Sequence, residues 1–203
     1  AIGTVILPQL SKYIQENLKP EILRIQNKAF ELCLFLSIPA SIAILLAAEE
    51  IVSALFGYGS FEKGAVINSA NALYYFGLGL PAFSLIKVFS SFFFARHNTK
   101  IPFFISLISV LMNVCISIFY FRTIGFIIIP IATTISSWFN ALMLFVFLKR
   151  KNLFQFNNSF FIQFIRIIIA SFLMGLIFYY SINFFNDDLT YDNSLKSLYL
   201  VGL

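Results

Sequence analysis

GLGLPAFSLIKVFSSFFFARHNTK, residues Gly77 to Lys100, decides how the rest of this chain is read. It is the lower half of one long apolar run. It holds the helix-bending series Gly77, Gly79 and Pro81, carries a single Lys87 well inside, and ends in a polar, basic turn. An ammonium left in hydrocarbon is costly, and a charge inside a membrane usually faces a cavity or a partner of opposite sign. One lysine thus converts a membrane segment into a transport hypothesis.

Working outward, the composition is 60% hydrophobic and only 11% charged, with mean hydropathy +0.88. Soluble domains carry about 25% charged residues, so the chain reads as a membrane protein. Cys33 and Cys115 both lie in apolar runs without zinc or redox spacing and read as small buried packing residues. The net charge of +5 does not point to nucleic acid, because the basic residues fall in the gaps between apolar runs, as membrane topology requires. His97 is the only histidine and sits in the basic turn, and no pair of intramembrane carboxylates exists. Neither a catalytic triad nor a metal cluster is therefore expected, and the chain reads as a non-enzyme. The opening Ala-Ile-Gly-Thr and the closing Leu-Tyr-Leu-Val-Gly-Leu suggest a fragment cut at both ends.

Crossing a bilayer takes about 20 apolar residues. Ala1 to Leu10 is too short and reads as the tail of a helix closed by Pro8, Ser11 and Lys12. Lys12 to Lys28 alternates Ile and Leu with Lys, Glu and Arg, the pattern of an amphipathic helix at the membrane interface. Complete spans are expected at about Ala29–Ala48, with Pro39 as a mid-helix bend, Ala65–Ala95, Ile101–Phe121, Phe126–Leu148 and Phe161–Phe184. The second is long enough to need tilt or a bend, which Gly77, Gly79 and Pro81 supply. Arg122 to Gly125 is so short that the spans on either side must pack antiparallel. Leu55–Gly64 reads as a turn, with Glu49 and Glu50 marking that interface. KRKNLFQFNNS (149–159) reads as a polar loop, NDDLTYDNSLK (186–196) as an acidic loop, and Leu198–Leu203 as the start of a sixth span. Ten Lys and Arg fall on one face, against Lys63, Arg122 and Lys196 on the other, so the ten-residue face is expected to be cytoplasmic.

Lys87 is the leading functional candidate. It lies nine residues before Arg96, about 13 Å along a helix. Two readings stay open, a structural lysine that snorkels and a cavity lysine facing an anionic substrate. Asn113 and Ser117 share a face of the third span, and Thr133, Thr134, Ser136, Ser137 and Asn140 form a polar stripe on the fourth. Such residues either glue helices together or line a cavity or ion site.

Four stretches carry a resemblance: GTVILPQLSK (Gly3–Lys12), SIPASIAILLAAEEIVSALFGYGSF (Ser37–Phe61), GLGLPAFSLIKVFSSFFFARHNTKIP (Gly77–Pro102), and the Asn113 helix with its short following turn. In that order, over most of the chain, they resemble the MurJ (MviN) lipid II flippase family. The resemblance implies an all-α, polytopic membrane helix bundle of the multidrug/oligosaccharidyl-lipid/polysaccharide exporter superfamily: a MATE-like pair of six-helix lobes around a cavity, plus two extra C-terminal helices. Residues 1–148 would supply the end of helix 8 and helices 9–12, most of the C-terminal lobe. Residues 149–203 would supply helix 13 and a truncated helix 14.

The same resemblance implies transport of undecaprenyl-linked lipid II, the peptidoglycan precursor, from the cytoplasmic to the periplasmic leaflet by alternating access. It places the chain in the bacterial inner membrane with basic loops cytoplasmic, with the lipid bilayer as its other partner and no nucleic acid. It implies no cofactor, and leaves membrane potential or a monovalent cation as the coupling force. Lys87 aligns with a lysine that follows the family's Leu-Pro pair, here Leu80 and Pro81. Arg96, His97 and Asn98 stand where the family tends to have a basic residue followed by an acidic one. Lys87, Asn113, Ser117 and Thr133 are the substrate-cavity candidates, whereas the family's main cavity arginines lie upstream of Ala1. A related exporter of another polyprenyl-linked saccharide or a drug is the alternative, and a membrane scaffold is a third reading.

Overall fold

The computed structural model describes residues 2–57, 63–156 and 158–184. These residues form seven α-helices: α1 Ile2–Gln15, α2 Lys19–Leu46, α3 Ala48–Phe56, α4 Lys63–Phe94, α5 Lys100–Ile124, α6 Ile128–Arg150 and α7 Asn158–Phe184. A 3-10 turn, Gly125–Ile127, joins α5 to α6. Four helical segments are long and apolar enough to cross a membrane, Lys19–Leu46, Lys63–Phe94, Lys100–Arg150 and Phe160–Phe184. Gly125, at φ 76°, sits where the Lys100–Arg150 segment doubles back as the α5–α6 hairpin. The acidic loop at 186–196 and the sixth span expected at 198–203 lie outside the described residues.

The first helix runs further than its sequence suggests. α1 passes through Pro8, Ser11 and Lys12 and ends at Gln15. Pro8 lies in mid-helix, where it removes one backbone bond and crowds the preceding turn, and the fully buried Leu10 anchors the helix in the core. Lys12–Lys28 is accordingly not one amphipathic helix. It is the end of α1, a turn, and the start of α2, which Pro20 opens with its pre-set φ.

Three helix ends on the basic face close in the same way. Leu18 N–H donates to Tyr13 C=O (3.0 Å), Asn98 to Phe93 (3.1 Å) and Leu153 to Leu148 (2.9 Å). Just before each donor stands a left-handed, non-glycine residue: Asn17 (φ 56°), His97 (φ 54°) and Asn152 (φ 53°). Together with the bonds that Asn17, His97 and Asn152 make three residues back, to Ile14, Phe94 and Lys149, this is the Schellman pattern. His97 therefore holds a backbone position.

On the opposite face the chain forms a helix that hydropathy alone does not separate. Ala47 breaks the run between α2 and α3. α3 then buries Ala48 and Val52 against Val66 and Ala70 of α4. Glu49 and Glu50 occupy its first turn, where the helix dipole favours negative charge. Of the turn expected at Leu55–Gly64, Leu55 and Phe56 are helical, Gly57 ends α3, 58–62 lie outside the described residues, and α4 already begins at Lys63.

α4 is the central helix. It packs against α1, α2, α3 and α6 and touches α5, and 61% of its apolar stretch is buried, against 33% for α2 and 17% for the other two segments. α1 lies against both α2 and α4, α5 packs on α6, and α7 packs on α2. Phenylalanines from four helices and the segment between α6 and α7 meet at the basic end. Phe154 contacts Phe30, Phe92, Phe145 and Phe156, and Phe160 joins through Phe30 and Phe156. The segment read as a polar loop is thus part of the core, with Phe154 only 2% exposed. Two of its backbone carbonyls are satisfied from α2 and from the turn after α4: Asn27 Nδ2 donates to Gln155 (2.9 Å) and an Arg96 guanidinium nitrogen to Leu153 (3.2 Å).

Candidate substrate cleft

Lys87 lies on α4 opposite the first turn of α1. A Cβ at Gly3 would come within 2.9 Å of the Lys87 carbonyl oxygen, so only glycine lets α1 approach α4 this closely. Beside this contact a cleft of about 290 Å³ opens among α1, α2 and α4, lined by Gly3, Cys33, Ser37, Ser84, Lys87 and apolar side chains. The Lys87 side chain is exposed, and among the described residues no carboxylate lies within ion-pair distance. Ser37 adds a buried hydroxyl with no hydrogen-bond partner, at 3% exposure. The cleft can therefore offer one full positive charge and hydroxyl donors in apolar surroundings, a combination suited to an anionic oxygen group.

The other candidates fall elsewhere. Asn113 Nδ2 donates to Thr133 Oγ1 (3.1 Å), Ser117 Oγ donates to Asn113 Oδ1 (3.2 Å), and Thr133 Oγ1 donates to the Ile129 carbonyl (2.8 Å). These three form one hydrogen-bonded chain inside the α5–α6 hairpin, away from the residues lining the Lys87 cleft. Ser136 and Ser137 both donate to the Thr133 carbonyl, and Asn140 reaches Ser106 at 3.4 Å. This geometry favours packing of polar residues between helices over a common site with Lys87.

Pro39 lies within α2, and Gly77, Gly79 and Pro81 lie within an α4 that stays helical throughout. Pro81 has no N–H for the carbonyl of Gly77, and Ser41 Oγ of α2 donates to that carbonyl at 2.7 Å. On either side of it, Thr134 Oγ1 donates to Tyr75 (2.7 Å) and Trp138 Nε1 to Leu78 (3.1 Å). Neighbouring helices thus satisfy backbone groups around the proline, as a membrane interior demands. The two glycines make this possible. A Cβ at Gly77 would lie 2.8 Å from Ile44, and one at Gly79 2.9 Å from Thr134 Oγ1.

Sequence reasoning passed over Ser37, Ser41 and Trp138, because a serine or tryptophan in an apolar run carries no signal until its partner helix is known. It also missed the pairing of Glu31 on α2 with Gln163 on α7, whose carboxamide, turned to donate, bonds both carboxylate oxygens. Arg96 is half-buried, its guanidinium donating to the Phe92 (2.7 Å) and Leu153 carbonyls, and burial pushes its pKa down from the usual arginine value.

Residues 1–200 match the family model described as Lipid II flippase MurJ. The chain belongs to the lipid II flippase MurJ family. Among curated relatives, the probable lipid II flippase MurJ of Rhizobium tropici is 34% identical over 180 residues, covering 89% of this chain and 34% of the relative. The probable lipid II flippase MurJ of Thermotoga maritima is 33% identical over 180 residues, covering 87% of this chain and 35% of the relative. A solved structure, "Lipid II flippase MurJ, inward closed conformation", superposes with a TM-score of 0.68 over 94% of this chain and 44% of that chain. At 24% identity this likeness establishes the fold, a helical bundle of the MurJ type. The chain spans about a third of the length of the curated MurJ relatives it matches. Membership in the MurJ family and its apolar helices together make it a multi-pass membrane protein.

Proposed function

We propose that this chain is the C-terminal part of a lipid II flippase, a transporter and not an enzyme, acting on undecaprenyl-linked lipid II in the bacterial inner membrane with its basic face cytoplasmic. Residues 1–148 would belong to the second lobe, and 149–203 to the additional helices. The observation that carries the reading is Lys87, exposed to a 290 Å³ cleft beside the unpartnered Ser37 hydroxyl and free of any described carboxylate. A lysine inside an apolar helix with no counter-charge among the described residues suits transient contact with an anionic cargo such as a lipid-linked phosphate. No cofactor is required, and membrane potential or a monovalent cation would drive the cycle.

Complementation tests this. The complete gene containing this segment is expressed in a bacterium depleted of its own lipid II flippase, alongside Lys87→Ala and Lys87→Arg variants with confirmed membrane insertion. Rescue by the parent and by Lys87→Arg, with growth impaired for Lys87→Ala, is the expected result. Full rescue by Lys87→Ala would remove Lys87 from the cargo path. Failure of the inserted parent to rescue would overturn the lipid II reading in favour of another polyprenyl-linked cargo.

A further inference from the structure

A second cleft lies in the α5–α6 hairpin and shares no lining residue with the Lys87 cleft. It is an apolar groove of about 300 Å³ between α5 and α6, walled by residues that include Phe104, Ile108, Phe139, Met143 and Phe147, with Lys100 as its one charged lining residue. Phe104 and Ile108 are exposed, so the groove is open on the surface of this chain. Lys100 is the first residue of α5, and the antiparallel hairpin sets it beside the end of α6, where Lys149, Arg150 and Lys151 follow Phe147.

Among the described residues, no ion pair supplies this end of the hairpin with a counter-charge. From Lys63 to Phe184 the sequence holds nine Lys and Arg and no Asp or Glu. The elements packed against α5 are α4, α6 and the 3-10 turn, all within that stretch. The ion pairs among the described residues are Lys12 with Glu16 and Arg24 with Glu21, both within the α1–α2 region. Arg96, the nearest other cation in sequence, is already engaged with the Phe92 and Leu153 carbonyls. Lys100 therefore stands with hydrocarbon-compatible walls on one side and a basic run on the other.

We propose that the α5–α6 groove is a binding site for an anionic glycerophospholipid, one acyl chain lying along Phe104, Ile108 and Phe139 and the phosphate held by Lys100 with help from the 149–151 run. Any lipid-facing groove is filled by some acyl chain. Charge complementarity selects an anionic headgroup here, because basic residues at a membrane surface each favour an anionic lipid. This site is independent of the flippase reading and of Lys87.

The test uses the complete protein in phosphatidylcholine nanodiscs doped with either phosphatidylglycerol or phosphatidylcholine bearing a photoreactive group on one acyl chain, with labelled peptides mapped by mass spectrometry. Labelling of the Phe104–Ile108 and Phe139–Phe147 segments should be roughly five-fold greater with the phosphatidylglycerol probe, the preference expected from one engaged lysine. That preference should fall for Lys100→Gln and persist for Lys100→Arg. Ile108→Trp, which fills the groove without touching the charge, should suppress labelling by both probes. Equal labelling by the two probes in the parent protein, or an unchanged preference in Lys100→Gln, would overturn the proposal.

Discussion

Ser41 donates its hydroxyl hydrogen to the carbonyl oxygen of Gly77 at 2.7 Å, and that carbonyl is the one Pro81 leaves without its helical donor. A serine on α2 thereby completes the backbone of α4. Removing it should leave a buried acceptor unpaired and cost about 1 kcal/mol, within the range for interhelical hydrogen bonds in membranes. Thermal unfolding in detergent should show a lower Tm for Ser41→Ala. In a Pro81→Ala background, where residue 81 regains its N–H, the same substitution should cost clearly less. Equal costs in both backgrounds would break the link between Ser41 and Pro81.

His97 closes α4 with φ 54°, a conformation that favours glycine over residues with a Cβ. His97→Gly should raise stability by about 1 kcal/mol, and His97→Val should lower it, since a β-branched residue tolerates this region least. Unfolding midpoints of the two variants measure both effects. A loss of stability in His97→Gly would mean that the imidazole itself holds the turn.

Phe154 anchors the 151–156 segment among Phe30, Phe92, Phe145 and Phe156. Truncating a buried phenylalanine costs about 3 kcal/mol or more. Phe154→Ala should lower the Tm and expose the neighbouring basic residues, so limited trypsin digestion should cut at Arg150 or Lys151 faster than in the parent. Unchanged digestion would argue that Asn27 and Arg96 suffice to hold the segment.

Glu50, in the first turn of α3, has its pKa raised by burial, with Glu49 adding to the rise and its own backbone N–H opposing it. An acid with a raised folded-state pKa binds its proton more tightly when folded. Stability should therefore decline as pH rises from the ordinary carboxylate range, about 4.3, through the folded-state value, and level off above it. Glu50→Gln should melt higher than the parent at pH 7, and the gap should close near pH 4. A gap that persists at pH 4 would assign the effect to something other than the carboxylate.

The cleft was legible only in part. Lys87 stands out in any hydropathy reading, because one ammonium in a long apolar run is conspicuous. Its setting was not, since the cleft exists only where Gly3 of α1 meets the backbone of α4 and leaves the buried Ser37 hydroxyl of α2 without a hydrogen-bond partner. Asn113, Ser117 and Thr133 were visible as polar residues with two roles open, and their mutual hydrogen bonds place them in the α5–α6 hairpin.

By itself the sequence determined the membrane class, the spans and the antiparallel α5–α6 pair, because these depend on how long an apolar run is and how short the turn after it is, quantities that sum over residues in order. It also located Pro81, since proline's missing donor is a property of the residue alone. The tertiary structure decided what answers that missing donor, why α1 runs on past Pro8, how Ala47 separates α3 from α2, and why Phe154 is core rather than loop. Each of those turns on which face of one helix meets another, and hydropathy, which averages around the helix, carries no record of the partner.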